Sequence, residues 1–290
     1  MTDRPTPRSH LYVPGDKPEV LAKALGRGAD ALIVDLEDAV AVSAKDQARR
    51  IVADWLATLP AAAANPVEIW IRVNPGEMRA VDVAAVVGPA VTGICLAKTE
   101  TAAEVAAVAG ELSLLEAERG LADGAIALAP LLESAAAVLR SAEIAAAPRV
   151  ARLQVGEADL RADIGVEVGD DERELLFVRS QVVLASAAAG ISPPVGPVTT
   201  NFRDLDALAE STRALARLGY RGRACIHPAQ AAVVNDVFSP DPEQVDAARR
   251  LIESFDAAVS AGEGVMVDEN GRMVDEAVIR QARRLLQLAR

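Results

Sequence analysis

Carboxylates must carry any metal chemistry in this chain. Its 290 residues hold 42 Asp and Glu but only two histidines, His10 and His227, and two cysteines, Cys95 and Cys225. That is too few for a zinc site built from several His or Cys ligands. The charged residues follow short apolar runs. One run ends in Asp35-Leu36-Glu37-Asp38, the next in Arg72-Val73-Asn74-Pro75, and later ones in Lys98-Thr99-Glu100, Glu133, Glu157-Ala158-Asp159 and His227-Pro228. Six such endings in succession fit a parallel barrel, whose active site is assembled at the carboxyl ends of its strands. Strand ends that simply meet solvent give a similar but less regular pattern.

Glu133 and Asp159 end consecutive runs. Adjacent parallel strands lie about 4.8 Å apart, so these two carboxylates can converge on one ion. Oxygen ligands without His or thiolate favour Mg2+, which takes one or two protein carboxylates and keeps several waters. The competing role for Glu133 is to complement the dipole of the following helix. Arg72 suits a substrate carboxylate held by two parallel hydrogen bonds, or an ion pair with Asp35 or Glu37. Glu37 and Asp38 suit a second layer around metal-bound water, or a solvated loop. Lys98 suits a phosphate or support of the metal carboxylates. Its acidic neighbours oppose the depressed pKa that a Schiff base needs.

The elements that must position these residues alternate. Strands are expected at His10–Val13, Ala31–Val34, Ile69–Val73, Gly93–Ala97, Ala125–Leu131, Arg152–Val155 and Arg223–Ile226, with a weaker eighth near Pro194–Val198. Helices are expected at Pro18–Arg27, Ala44–Thr58, Thr101–Arg119, Ser134–Ala147, Glu174–Ala189 and Leu205–Leu218, with Gly or Pro where they stop. Strand–helix alternation implies a parallel sheet. Eight strands close a (β/α)8 TIM barrel, whereas six or seven equally suit an open doubly wound sheet. After Phe238 the Ser239-Pro240-Asp241-Pro242 breaker leads into charged helices at Glu243–Ala261 and Asp275–Arg290, flanking a hairpin-like Gly262–Met273. The division expected is a barrel domain over 1–238 and a C-terminal helical extension over 239–290, packed on the barrel or on a neighbouring subunit.

The formal charge of −12 argues against nucleic acid as the main partner. No run approaches 18 apolar residues and the first ten lack the apolar core of a signal peptide, so a soluble, cytoplasmic, globular protein is expected. No G-x-G-x-x-G or Walker A sequence is present.

The motifs together resemble the citrate lyase β-subunit-like branch of the HpcH/HpaI aldolase superfamily, which includes malyl-CoA and citramalyl-CoA lyases. They are RSHLYVPG at Arg8–Gly15, ADALIVDLEDAV at Ala29–Val40, IRVNP at Ile71–Pro75, LAKTE at Leu96–Glu100, LLESA at Leu131–Ala135, VGEADL at Val155–Leu160, ACIHPAQ at Ala224–Gln230 and GRMVD at Gly271–Asp275. The resemblance implies a TIM barrel, Mg2+ on Glu133 and Asp159, and Arg72 on the oxo-acid half of a CoA thioester. It also implies that Asp275 serves a neighbouring subunit's site as an acid/base group, within a homotrimer or homohexamer. Arg8 and Lys17 are candidate phosphate contacts for the coenzyme. The activity implied is Mg2+-dependent cleavage or condensation of a short 3-hydroxyacyl thioester such as malyl-, citramalyl- or citryl-CoA, giving acetyl-CoA and a 2-oxo acid. The alternatives are thioester hydrolysis on the same site, a pyruvate aldolase using free aldehydes, and a partner-dependent subunit. The chain departs from the family pattern at Ala97, where Pro is usual, at Ala158, where an acid is usual, and at Glu276-Ala277, where x-Pro is usual.

Overall fold

A computed structural model of the chain describes residues 5–169 and 171–289; Arg290, the expected end of the last helix, lies outside them. Eight parallel strands close into a barrel in sequence order: β1 Ser9–Pro14, β2 Ala31–Asp35, β3 Glu68–Val73, β4 Gly93–Leu96, β5 Ala127–Leu132, β6 Gln154–Val155, β7 Val195–Gly196 and β8 Gly222–Cys225. The open-sheet alternative is thereby excluded. Around the strands run α1 Pro18–Ala24, α2 Lys45–Ala57, α3 Met78–Val86, α4 Ala102–Glu118, α5 Ala135–Leu139, α6 Ser141–Ala145, α7 Glu157–Ile164, α8 Leu176–Ala188, α9 Leu205–Leu218 and α10 Pro228–Phe238.

Three of these helices, α3, α7 and α10, are additional to those expected from the sequence. The single helix expected over Ser134–Ala147 is two, broken at Arg140, whose φ −98° and ψ 10° fall in the bridge region. The poor signal of β7 has a simple cause. It and β6 are only two residues long, too short for any periodicity to register.

Strands alternate side chains between the barrel interior and the helices. The interior packs Ala31, Ile33, Trp70, Cys95 and Ala129, with Tyr12 against them. Trp70 fills so much of this space that a Cβ on Gly93 would lie 2.3 Å from its ring. Thus the barrel is a filled core, and only its carboxyl-terminal mouth is open to substrate.

Pro7–Asn235 forms one compact unit, and the residues that follow, grouped with Pro5 and Thr6, form a second. The second contains α11 Pro242–Ser260, a two-stranded antiparallel hairpin of β9 Met266–Val267 and β10 Met273–Val274, and α12 Glu276–Leu288. Phe255, Val274 and Ile279 make its core. No helix among the described residues is long and apolar enough to cross a membrane.

Candidate active site at the barrel mouth

The loop after β2 is fixed before any ligand arrives. Asp35 at the end of β2 accepts hydrogen bonds from the amides of Glu37 (2.9 Å) and Ala39 (3.0 Å), which turns the chain sharply across the mouth. The buried Lys45 ammonium donates to the carbonyls of Leu36 (2.7 Å) and Glu37 (2.6 Å), and the Asn74 amide donates to Leu36 from β3's side (2.8 Å). Burial pulls the Lys45 pKa down, against the surrounding acids that raise it.

On this frame Asp35 takes one edge of Arg72. Arg72 Nε and Nη2 donate to its two carboxylate oxygens at 2.7 and 2.6 Å. Arg72 Nη1 lies 3.1 Å from Glu37, and the guanidinium sits over the Tyr12 ring, 4.9 Å from its centroid. Burial works against the arginine's charge, but the bonds to Asp35 and the charge of Glu37 outweigh it and raise its pKa. Glu37 is buried and also meets the Lys98 ammonium at 2.5 Å. That contact raises the Lys98 pKa, the opposite of what a Schiff-base lysine needs. Asp38 is exposed and lies 3.7 Å from the same ammonium.

Glu133 follows β5, whose Leu132 is in register with Val155 of β6. Its Oε2 accepts the backbone N–H of Lys98 at 2.8 Å. Lys98 holds that amide in place with φ +52°, a left-handed conformation in which non-glycine residues are strained. On the other side, Gly156 lacks the Cβ that would fall 2.5 Å from Glu133 Cγ and 2.6 Å from Oε1. Glu133 is therefore gripped from both neighbouring strands. Asp159 is not at a strand end, as its spacing suggests, but in the first turn of α7, exposed towards the mouth. The position of α7 is secured by Arg179 of α8, which is buried and donates to both oxygens of Glu157 (2.6 and 2.8 Å) and to Glu172 (2.7 Å).

Glu133, Asp159, Arg72, Asp35 and Asp38 line one cavity of about 640 Å3, together with Tyr12, Gln154, Thr199, Thr200, Arg223 and Ile226. Tyr12 and Gln154, bonded at 2.9 Å, are cavity residues that charge and motif alone do not single out. Their inward direction follows from strand alternation, counting back from the end of β1 and β6.

Burial pushes the Glu133 carboxyl up to about 7, and the charges of Asp159 and Glu37 add to that, while the Lys98 amide and Arg72 pull it back. The mouth thus concentrates negative charge that a cation relieves. Among the described residues no group of three or more His, Cys, Asp or Glu is placed to hold a metal, so there is no all-protein cage. Two carboxylates facing a wet cavity instead fit a hard divalent cation that keeps most of its waters.

The two basic residues expected to contact the coenzyme, Arg8 and Lys17, part company. Arg8 precedes β1 and so lies at the amino end of the barrel, where it is ion-paired with Asp30 at 2.8 Å. Six strand residues, roughly 20 Å at about 3.3 Å each, separate it from the mouth. Its assignment as a phosphate contact is corrected accordingly. Lys17, just beyond β1, is exposed on the carboxyl-end side. Asp275, in the second compact unit, caps α12: its Oδ1 accepts the amides of Ala277 (2.9 Å) and Val278 (3.1 Å).

Comparison with known proteins agrees with the motifs. The family described as HpcH/HpaI aldolase/citrate lyase matches residues 8–228. The citrate lyase subunit beta of Leuconostoc mesenteroides subsp. cremoris is 32% identical, covering 97% of this chain and 93% of that one. A (3S)-malyl-CoA thioesterase of Cereibacter sphaeroides is 35% identical over 97% and 94%. Among solved structures, CitE of Mycobacterium tuberculosis in complex with magnesium, acetoacetate and coenzyme A superposes with a TM-score of 0.79, at 31% identity and 99% coverage of both chains. With a closed barrel carrying an arginine and paired carboxylates at its mouth, this chain is a lyase that belongs to the HpcH/HpaI aldolase/citrate lyase family.

Proposed function

We propose that the chain is a Mg2+-dependent carbon–carbon lyase acting on a short 3-hydroxyacyl thioester of coenzyme A, of the malyl, citramalyl or citryl type. The observation that carries this reading is the placement of Glu133 and Asp159 in one cavity with Arg72. Glu133 and Asp159 would hold the ion, which when bound supplies Lewis-acid polarisation of the acyl group's oxygens.

The protein's own groups account for the rest. Asp35 holds the Nε/Nη2 edge of Arg72 and Glu37 stands 3.1 Å from Nη1, and the remaining Nη hydrogens of this cavity-lining guanidinium would bind the carboxylate of the oxo-acid half. Glu37 is committed to Arg72 and Lys98 and acts by positioning. Asp38, exposed and lining the cavity, is the carboxylate available to take the hydroxyl proton. Cleavage of the carbon–carbon bond then gives a 2-oxo acid and a thioester enolate. A proton delivered to the enolate's α-carbon yields the acetyl thioester. We assign that proton to Asp275 of another copy in a homotrimer or homohexamer. In support, Oδ1 of Asp275 carries both capping bonds, and Oδ2 accepts none among the described residues.

The test offers malyl-, citramalyl- and citryl-CoA with and without Mg2+, following acetyl-CoA, 2-oxo acid and free thiol separately. Acetyl-CoA with oxo acid, lost in EDTA and in Glu133→Ala or Asp159→Ala, is expected. Full metal-dependent turnover by either variant overturns the metal assignment. Free thiol without oxo acid makes the chain a thioesterase, the reading favoured by its 35% identity to the malyl-CoA thioesterase. Silence across the panel transfers the weight to a free-aldehyde aldolase or a partner-dependent subunit. For Asp275, mixing the inactive Asp275→Ala and Glu133→Ala proteins should restore part of the activity if sites are shared between copies.

A further inference from the structure

The chain has two tyrosines, and they use their hydroxyls differently. Tyr220 is buried and donates its O–H to the Arg179 carbonyl at 3.3 Å. Tyr12 accepts instead. Gln154 Nε2 donates to its Oη at 2.9 Å, and the phenol's own proton has no acceptor among the described residues. A hydroxyl proton taken from water without a new acceptor costs free energy. This one belongs to a residue lining the cavity that Glu133, Asp159 and Arg72 share, where a ligand can supply the acceptor.

The register of the strands sets the depth of the pair. Tyr12 stands two residues before Pro14, which is opposite Asp35. Gln154 is opposite Leu131, two residues before Glu133. Each therefore lies one layer beneath the charged groups of the mouth. β8 and β7 separate β1 from β6, so the Tyr12–Gln154 bond crosses the barrel interior. The Tyr12 ring packs on the apolar cluster of Trp70, Cys95 and Ala129, and Arg72 sits over it, 4.9 Å from the centroid. The pair is the floor of the cavity. A floor that only closed the barrel would need neither a hydroxyl nor an amide, since everything it packs on below is apolar. Burial raises the phenol pKa, against the charge of Arg72 and the Gln154 bond, so the hydroxyl keeps its proton at neutral pH.

We propose that Tyr12 donates its O–H to the carboxylate of the oxo-acid half, beside the Arg72 hydrogens, and that Gln154 is a positioning residue that turns the hydroxyl towards it. This rests on the proposed thioester reaction, in which the bulky carrier stays at the open mouth and the oxo-acid half reaches the floor. It adds the neutral group that reads that half from below. A site built to bond a substrate group rejects the analogue that lacks it, so the floor selects a 2-oxo acid over a simple aldehyde.

Calorimetric titration with pyruvate and with glyoxylate, in saturating Mg2+, reads this subsite without turnover. Tyr12→Phe should weaken both about 10- to 100-fold, the loss expected for a hydrogen bond to a charged group, and leave Mg2+ affinity unchanged. Tyr12→Phe also strands the buried Gln154 amide and costs stability, so a second variant is needed. Tyr12→Phe combined with Gln154→Met makes the floor apolar throughout and should bind the oxo acids no worse than Tyr12→Phe alone, because Gln154 acts through the hydroxyl. Gln154→Met alone should show a smaller loss. In the condensation direction the loss should fall on the KM for the oxo acid and not on that for acetyl-CoA. Equal oxo-acid binding by Tyr12→Phe and wild type, an equal fall in Mg2+ affinity, or no binding by wild type overturns the assignment. A full additional loss in the double variant overturns the positioning role of Gln154. A wild type that binds oxo acid, weakened in Tyr12→Phe, but turns over no thioester refutes the reaction alone.

Discussion

Gly156→Ala is the substitution that most sharply separates the candidate site from the fold. Gly156 has φ −97° and ψ 80°, so alanine adopts the backbone without the strain of a left-handed position. The new methyl, however, would lie 2.5 Å from Glu133 Cγ, 2.6 Å from Oε1 and 2.9 Å from Cδ. Carbon atoms in contact sit about 3.5–4.0 Å apart, so the carboxylate must move by about an ångström. Moving it breaks the 2.8 Å bond from the Lys98 amide, a hydrogen bond to a charged group worth about 1.5–3 kcal/mol. The folded protein recovers part of this, because Glu133 leaves a place where burial opposes its charge. Replacing glycine also restricts the unfolded chain, worth about 0.4–1 kcal/mol in the opposite direction. The metal-free protein should therefore melt within a few degrees of wild type. Mg2+ affinity, in contrast, should fall about 10- to 100-fold, as when the supporting partner of a metal ligand is lost. At a Mg2+ concentration of ~100 Kd for wild type, bound ion stabilises by about 2.7 kcal/mol; a hundredfold weaker site retains about 0.4 kcal/mol. Calorimetric titration and melting with and without Mg2+ read both quantities. Unchanged Mg2+ affinity in Gly156→Ala would refute the assignment of Glu133 as ligand. Glu133→Asp placed on the Gly156→Ala background, by shortening the side chain, should recover part of the binding.

Two further perturbations test the supports around the site. Arg179→Met leaves the carboxylates of Glu157 and Glu172 without their buried cation, and should cost about 3–5 kcal/mol in denaturant unfolding. Because Glu157 and Asp159 share the first turn of α7, Mg2+ affinity should fall as well, and a destabilised variant that binds Mg2+ like wild type would show that this turn needs no clamp. His10 concerns stability with pH. It is buried, and that burial, helped by the nearby charge of Arg152, lowers its pKa from 6.5 to about 3. A depressed folded-state pKa means that the unfolded chain takes up the proton first, so stability is lost as pH falls from about 6.5 towards 3. The loss attributable to this group is about 2–3 kcal/mol by pH ~4.5. His10→Gln should abolish that component, and an unaltered pH slope would show that His10 does not titrate on unfolding.

The barrel is legible in the sequence because most of the longer strands are apolar runs closed by charged residues, and because the charges gather where a parallel barrel puts its mouth. What escapes does so for physical reasons. β6 and β7 carry two residues each, too few for a pattern. The helix α7 starts inside the stretch that reads as a strand end, since its first turn is acidic and only Leu160 is buried, leaving no apolar stripe to reveal it. Glu133 and Asp159 nevertheless line one cavity, because strand adjacency already brings the two loops together. Arg8 is misplaced for a different reason, proximity to a motif being no measure of proximity to the site. A residue before a strand and one after it stand at opposite ends of the barrel. Tyr12 and Gln154 carry no charge and so do not stand out, although strand alternation aims both inward.

The two roles open to Arg72, substrate carboxylate or ion pair at the barrel mouth, are compatible in the folded protein. A guanidinium has two edges able to take a carboxylate in parallel bonds. Asp35 takes Nε/Nη2, and Asp35 is itself immobilised by the Glu37 and Ala39 amides. With Glu37 3.1 Å from Nη1 as well, these contacts fix the guanidinium in the cavity wall before substrate binds. An arginine free of such a partner would lose side-chain entropy on every binding event, up to about 2 kcal/mol. Lys98 applies the same logic twice. Its ammonium restrains Glu37 behind Arg72, and its left-handed backbone presents the amide that holds Glu133. One strained residue, just beyond the end of β4, therefore links the arginine that would bind the substrate to the carboxylate that would bind the ion.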